Sequence, residues 1–373
     1  MDRRECFERL DSKAGDPESL FEHFERRESD RYNYLALSNA RHGIERGTVV
    51  IEEPSVIVRG YPKIPRILRL ETGIGSFFDG KIAIEEKLDG VNVRIAAVEA
   101  PMAFTRSGYH CPYTTARASE LLELGAFFDR HPDKLLCAEL VGPETPYTTH
   151  DYPDIDSHTF CVFDVCDRES GVSLGVSERR ALCEEFGFDQ PRLFETVDTE
   201  TAPSVVRSII QELDATNREG VVLKSLDGSV MAKYTTRSQH HNELAYGFSL
   251  PFDRGRDFVF SRIVREAFQA AEFEDDDEAL RERARTMGES ILLPIVETIR
   301  DVENGEPIGE RFVVRGTPAQ IDALFDHLTD QSLRLVVLED DTESGERVVK
   351  FVKTAESTRD QIEYYLEEGI NRE

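Results

Sequence analysis

The chain has 373 residues, with 73 acidic residues against 45 Lys and Arg and a formal net charge of −28. That length holds two to four units, one with a sizeable core, while a hydrophobic share of 39% with 22 Phe excludes a disordered acidic polymer. No run is apolar enough to span a membrane, and Met1-Asp2-Arg3-Arg4-Glu5 lacks the apolar core of a secretory leader, so a cytoplasmic protein is expected.

Residues 1–47 read as charged helix. Residues 48–70 carry the strand-like runs Thr48–Ile51 and Val56–Val58, then a basic cluster of Lys63, Arg66 and Arg69. Such a cluster faces solvent more often than nucleic acid. From 81 to 235, short strands alternate with turns and a few helices. The strands are Ile82–Glu86, Asn92–Val98, Thr159–Val165, Gly220–Lys224 and Val230–Tyr234, with Asp89-Gly90 and Asp227-Gly228 as hairpin-turn signals. Ser177 is read as a helix cap, and Thr201-Ala202-Pro203 opens another helix. Residues 238–300 read as helical, broken by the acidic run Glu272–Glu278. Residues 309–373 then read strand, helix, strand, strand, helix, a small two-layer α/β unit. Thr317-Pro318 starts its first helix, Leu333–Leu338 and Arg347–Val352 supply strands, and Thr358–Glu368 closes it. The corresponding division is 1–70, 71–237, 238–305 and 306–373.

Six scattered cysteines without a Cys-x-x-Cys pair suggest free thiols in a reducing compartment. A zinc site from His158, Cys161 and Cys166 is disfavoured, because Cys161 and Cys166 fall on opposite faces of a strand. His240-His241 reads as a polar helix start rather than a metal site. An acidic envelope repels phosphate polymers in dilute salt. The composition therefore suggests a halophile-type cytoplasm, where screening over roughly 3 Å at 1 M salt lets a local basic pocket work.

The chemistry concentrates on Glu85-Glu86-Lys87-Leu88-Asp89-Gly90-Val91-Asn92-Val93-Arg94, a Lys-x-Asp-Gly-x-x-x-Arg pattern at the end of a strand. Alternation sets Ala83, Glu85 and Lys87 on one face and Ile82 and Ile84 on the other. Lys87 and Glu85 thus share a pocket while the isoleucines pack. A lysine attacks phosphorus only when neutral, and burial or neighbouring cations such as Lys224 and Lys233 favour that form. By itself the pattern more often marks a surface lysine before a hairpin; the later segments give it weight. Thr105-Arg106-Ser107-Gly108 offers a guanidinium beside a turn. Cys137–Gly142 ends a strand with Glu139. Phe163 faces opposite to Phe160 and Val162, in the core or against a purine ring. Glu219 and Lys224 are five apart, so they serve one site only if Glu219 lies before the strand or the backbone bends at Gly220. Met231-Ala232-Lys233-Tyr234 returns a lysine after the turn.

These ordered segments resemble the motifs of the covalent nucleotidyltransferases: DNA ligases, RNA ligases and capping enzymes. Gly60-Tyr61-Pro62-Lys63-Ile64, Glu85–Arg94, Cys137–Tyr147 and Met231–Thr235 are most similar to the archaeal ATP-dependent RNA ligase family, the homodimeric, RNA-circularising kind. The resemblance implies an α+β fold with an ATP-grasp-like antiparallel core, an N-terminal extension, a helical dimerisation segment and a C-terminal α/β domain. It implies Lys87 as the adenylated nucleophile and Glu85 as reader of the adenine amino group. Arg94 and Arg106 would hold ribose or phosphate, Glu139 the ribose hydroxyls, and Phe163 would stack on adenine. Glu219 and Asp89 would hold a hydrated Mg²⁺ or Mn²⁺, and Lys224 and Lys233 the α-phosphate. Where many relatives have Lys-x-Lys, this chain has Met231-Ala232-Lys233, and Lys224 would supply the missing charge. The implied activity is sealing of 5′-phosphate and 3′-hydroxyl RNA ends with ATP. The alternatives are a DNA ligase, a GTP-using capping enzyme and a non-catalytic RNA-end-binding protein. A barrel domain, usual in the first two, is disfavoured by the helical and α/β reading after Lys233.

Overall fold

A computed structural model describes residues 3–29, 31–147 and 152–369. Two short helices, α1 (Arg3–Leu10) and α2 (Pro17–Phe21), lead into a sheet of four strands in chain order: β1 (Phe24–Glu28), β2 (Asn33–Leu37), β3 (Val49–Ile51) and β4 (Val56–Val58). The 1–47 region is therefore not simply helical. β1 is an edge strand that buries Phe24 and Arg27 and exposes Glu25, Arg26 and Glu28, so its charges hide the strand signal. Of the basic cluster, Lys63 and Arg69 are exposed, whereas Arg66 is half-buried with its guanidinium on Thr235 Oγ1.

Next come α3 (Leu70–Phe77), β5 (Lys81–Lys87), β6 (Val91–Ala97), β7 (Pro101–Thr105), α4 (Pro112–Leu121), α5 (Leu124–Arg130), β8 (Lys134–Val141) and β9 (Thr159–Asp167). They are followed by α6 (Val176–Glu185), β10 (Leu193–Asp198), α7 (Ala202–Ala215), β11 (Gly220–Ser225) and β12 (Met231–Thr235). The strands form two antiparallel sheets, β10-β5-β11-β12 and β7-β6-β8-β9. Ile82 and Ile84 of β5 pack with Leu70 and Ile74 of α3 and Val206, Ile210 and Leu213 of α7. The second sheet has a core on each face. Ile95, Leu136 and Val162 meet Phe127 and Phe188 on one side; Ala96, Phe104 and Cys137 meet Val49, Ile51 and Val58 of the first sheet on the other.

Asp89-Gly90 is not a hairpin turn. β5 and β6 belong to different sheets, and this dipeptide carries the chain from one to the other. A Cβ on Gly90 would lie 2.4 Å from Leu140 O, so glycine is required by close approach rather than by a turn. Asp227-Gly228 does close the β11–β12 hairpin, with Gly228 at φ +76°. Ser177 is not a cap: α6 starts one residue earlier, after Gly175. Thr201 precedes α7, but its hydroxyl donates back to Asp198 O instead of capping forward.

Three helices follow: α8 (Arg237–Ser249), α9 (Arg256–Glu272) and α10 (Asp277–Glu303). The acidic run supplies the break, with Asp276 accepting from the backbone N–H groups of Glu278 and Ala279. The end of the chain forms β13 (Gly309–Gly316), α11 (Pro318–Asp330), β14 (Leu335–Glu343), β15 (Glu346–Thr354) and α12 (Glu356–Glu368), with sheet order β13-β15-β14. Thr317 and Gln320 make a reciprocal capping box at α11. This unit packs Val314 and Ile321 on Cys111 and Tyr113 of the central region, and Ile362 on Leu250 and Val302 of the helices. No described helix is long and apolar enough to cross a membrane.

Candidate active site

β5 ends in a cleft between the two central sheets, about 700 Å³ including its open mouth. Its lining includes Tyr61, Glu85, Lys87, Asn92, Arg106, Glu139, Phe163, Lys224 and Lys233. Strand alternation does what the sequence suggests: Ile82 and Ile84 are in the core while Glu85 and Lys87 face the cleft. Lys87 Nζ lies 2.7 Å from Glu219 Oε2. Glu219 stands just before β11, and the register sets Gly220 opposite Lys87. Gly220 has φ +148°, and a Cβ there would lie 2.3 Å from Tyr234 O. The bend the spacing required is thus present, and only glycine fits it.

Glu85 is buried among three cations. Arg179 of α6 is paired with its Oε1, Arg180 lies 3.3 Å from the same oxygen, and Lys224 Nζ lies 3.3 Å from Oε2. Lys224 also donates to Phe163 O at 2.6 Å and lies 3.7 Å from Asp164. A bulge opposite Cys137/Ala138 leaves Phe163 as the extra residue of β9 and turns it toward the cleft. There its ring meets Tyr61 edge-on at 5.2 Å. Tyr61 donates to Asp164 Oδ2 at 2.9 Å. Asp164 and Arg179 did not emerge from the sequence. Alternation alone puts Asp164 on the wrong face, and nothing near Arg179 resembles a motif.

Arg94 is a correction. It is fully buried below the cleft and does not line it. Its guanidinium donates to Arg59 O (2.7 Å), Gly47 O (2.8 Å) and Thr105 O (2.9 Å), because a desolvated guanidinium needs acceptors and these carbonyls surround it. It ties the first sheet to the second. Arg106, by contrast, is exposed at the cleft. Asp89 lines a neighbouring cavity, where Gln239 donates to it at 3.0 Å. Among the described residues no cluster of three or more side chains has metal-binding geometry. Two of the carboxylates acting on Lys87, Glu219 at 2.7 Å and Asp89, are hard oxygen donors of the type that Mg²⁺ or Mn²⁺ takes through water.

Charge distribution corrects a second expectation. Burial pulls the Lys87 pKa down, but Glu219, Glu139 and Asp89 outweigh it and hold the ammonium above its ordinary value. Burial, then the charges of Glu219 and Asp89, push Glu139 up to about 8 despite Lys87. Burial also raises Glu219. Burial, Lys87 and Arg66 pull Lys233 down to about 8. It is Lys233, not Lys87, that is poised near neutrality in the free protein.

The six cysteines are free and buried, as expected. His158 accepts from Arg117 Nε at 3.0 Å. His240 and His241 are not a polar helix start. Both are buried in α8, bonded to Glu266 of α9 at 2.8 and 3.1 Å, and Glu266 also pairs with Arg283 of α10 at 2.7 Å.

The RNA ligase family model matches residues 80–235. A second, described as the Ligase Pab1020 C-terminal region, matches residues 246–369. An uncharacterised protein of Methanocaldococcus jannaschii is 38% identical over 336 residues, which is 87% of this chain and 85% of that protein. Two solved structures, forms 1 and 2 of an archaeal ATP-dependent RNA ligase, superpose with a TM-score of 0.92 at 36% identity, covering 100% of both chains. A structure from Aquifex aeolicus with a provisional ATP-dependent DNA ligase name gives a TM-score of 0.87 over 94% of this chain and 97% of its own. At 24% identity it speaks to the fold alone.

Proposed function

This chain belongs to the archaeal ATP-dependent RNA ligase family, and from that premise we propose that Lys87 carries AMP covalently between ATP and an RNA end. The observation that carries this reading is the Lys87–Glu219 pair at 2.7 Å, in a cleft also lined by Glu85, Lys224 and Lys233. The enzyme is an ATP-dependent RNA ligase. The particular roles of its residues are the proposal.

In the first step Lys87 Nζ bonds to the α-phosphorus of ATP and the bond to pyrophosphate breaks. The nearest acceptor for the ammonium proton is Glu219, whose basicity burial raises. The RNA 5′-phosphate then takes AMP from Lys87, and a 3′-hydroxyl displaces AMP to seal the strand. Each step is an in-line displacement at phosphorus, so placement and charge neutralisation dominate. Lys233 would meet the α-phosphate, whose charge restores its proton. Glu85, held by Arg179 and Lys224, would accept from the adenine amino group, with Phe163 against the ring. Glu139 would accept from the ribose, and Arg106 at the mouth would meet phosphate. Glu219 and Asp89 fit a hydrated divalent metal, Mg²⁺ or Mn²⁺, which would offset charge on the leaving pyrophosphate. Arg94 is left out of the nucleotide contacts.

We also propose a homodimer through the helical segment, supported by Phe260 (67% exposed) on α9 and Leu292 (61%) and Leu293 (53%) on α10. The α8–α10 helices and the α/β unit after β12 favour an RNA ligase over barrel-bearing DNA ligases and capping enzymes. Incubation with radiolabelled ATP and a 5′-phosphorylated RNA tests the chemistry. A protein–AMP adduct and a circular or joined product are expected, and Lys87→Ala should abolish both. An undiminished adduct in that variant would refute the nucleophile.

A further inference from the structure

Helix α9 turns two arginines toward helix α8. Arg262 Nε lies 2.7 Å and Arg265 Nη1 3.2 Å from the same oxygen, Oε2 of Glu243 on α8. Arg66 approaches from the segment before α3. Its flanking residues pair with the backbone of Lys233: Ile67 N donates to Lys233 O, and Lys233 N to Pro65 O, both at 2.9 Å. Arg66 and Arg265 line one small cavity together with Thr235 and His240. Two guanidiniums therefore share one carboxylate, and a third, on Thr235 Oγ1, lies within its electrostatic reach, in a chain of net charge −28.

The crowding has a cost. The Arg262 and Arg265 side chains are only 14% and 17% exposed. Burial first, then Arg66, pull Arg265 down to about 10, even with Glu243 beside it. Burial likewise lowers Arg66, and Arg262 adds to the effect. Partly desolvated like charges in such numbers favour the approach of a further anion. The cluster also adjoins the catalytic pair. Glu219 acts on Arg66, Glu243 acts on Glu219, and Arg66 acts on Lys233.

We propose that Arg66, Arg262 and Arg265 form a phosphate-binding site at the rim of the nucleotidyl-transfer cleft, built jointly by the segment before α3 and by helix α9. The proposal rests on the ligase reading and extends it to residues outside the 80–235 match. The ligand is a terminal phosphate group, which guanidinium forks recognise in a bidentate way. Two substrates carry one: ATP, through its β- and γ-phosphates, and RNA, through its 5′-phosphate.

The test is the double variant Arg262→Gln/Arg265→Gln, assayed in two stages. Loss of charge-assisted hydrogen bonds should raise KM by roughly ten- to a hundred-fold. A raised KM for ATP in adduct formation supports the site and identifies ATP as its source of phosphate. A raised KM for a 5′-phosphorylated oligoribonucleotide, in AMP transfer from preformed adduct, supports the site and identifies RNA. Unchanged KM at both stages overturns the proposal and leaves the ligase reading standing; a wild type that forms no adduct removes both. Because the double variant could misfold, wild-type protein is also treated with phenylglyoxal and its α9 peptide analysed by mass spectrometry. Protection by pyrophosphate or the 5′-phosphorylated oligoribonucleotide, but not by its 5′-hydroxyl counterpart, supports the site. Equal modification with and without these probes overturns it.

Discussion

A half-buried lysine 2.7 Å from a buried glutamate is a good ion pair and, as it stands, a poor nucleophile. Lys87 is held above its ordinary pKa by carboxylates that outweigh its burial, so the reactive neutral amine is scarce near pH 7. Adduct formation should therefore speed up as pH rises from 6 to 9. Removing the nearest anion weakens the hold on the proton, so Glu219→Gln should move the pH–rate profile toward acid while lowering its plateau. A profile that stays in place or moves toward alkali would contradict the pairing. Arg94 makes the opposite case. Its place in the Lys-x-Asp-Gly-x-x-x-Arg pattern suggests a ligand contact, yet it serves three carbonyls. Arg94→Met should lower unfolding free energy by roughly 2–4 kcal/mol, since buried acceptors lose their donors. ATP KM in the folded fraction should be little changed. Denaturant titration together with adduct kinetics separates the two effects.

At the level of elements, α8, α9 and α10 meet on Glu266. Burial alone would raise its pKa, but hydrogen bonds from His240 and His241 and the charge of Arg283 hold it well below the carboxylate range. Burial keeps His240 below its ordinary value of 6.5. Both shifts act in one direction. As pH falls below about 6.5, and again below about 4.5, the unfolded chain takes up protons that the folded joint refuses. Stability contributed here is complete above pH 6.5 and declines steadily in acid. Glu266→Gln removes the anion that helps His240 take a proton, so it should steepen that decline between pH 7.5 and 5 and cost roughly 3 kcal/mol at pH 7.5, as expected when a buried ion loses its partner. Unfolding curves at both pH values measure it. This joint was poorly legible in the sequence, because its partners are 17 to 26 positions apart and fit no short motif. The strands of the central sheets were legible, because β5, β6, β9, β11 and β12 alternate or run apolar between Asp-Gly punctuation. Which sheet each strand joins was not, since Asp89-Gly90 looks the same at a hairpin as at a crossing. Glu219 was legible through Gly220, whereas Asp164 and Phe163 share a face only through a bulge that leaves no mark in composition.

For the whole molecule the governing quantity is the charge of −28. We propose that it suits concentrated salt. Self-repulsion at that charge acts over about 10 Å at 0.1 M salt and about 3 Å at 1 M. Tm should therefore climb by several degrees between 0.1 and 2 M KCl, and a flat or falling Tm would argue against this origin of the acidity. The three-residue passage 88–90 has a wider effect. It links the two walls of the cleft over on the order of 10 Å. The walls are joined covalently beside Lys87, and Lys224 on β11 bonds across to Phe163 O on β9 at 2.6 Å. The amine therefore stands at the end of the cleft where the backbone itself fixes the spacing of the two sheets.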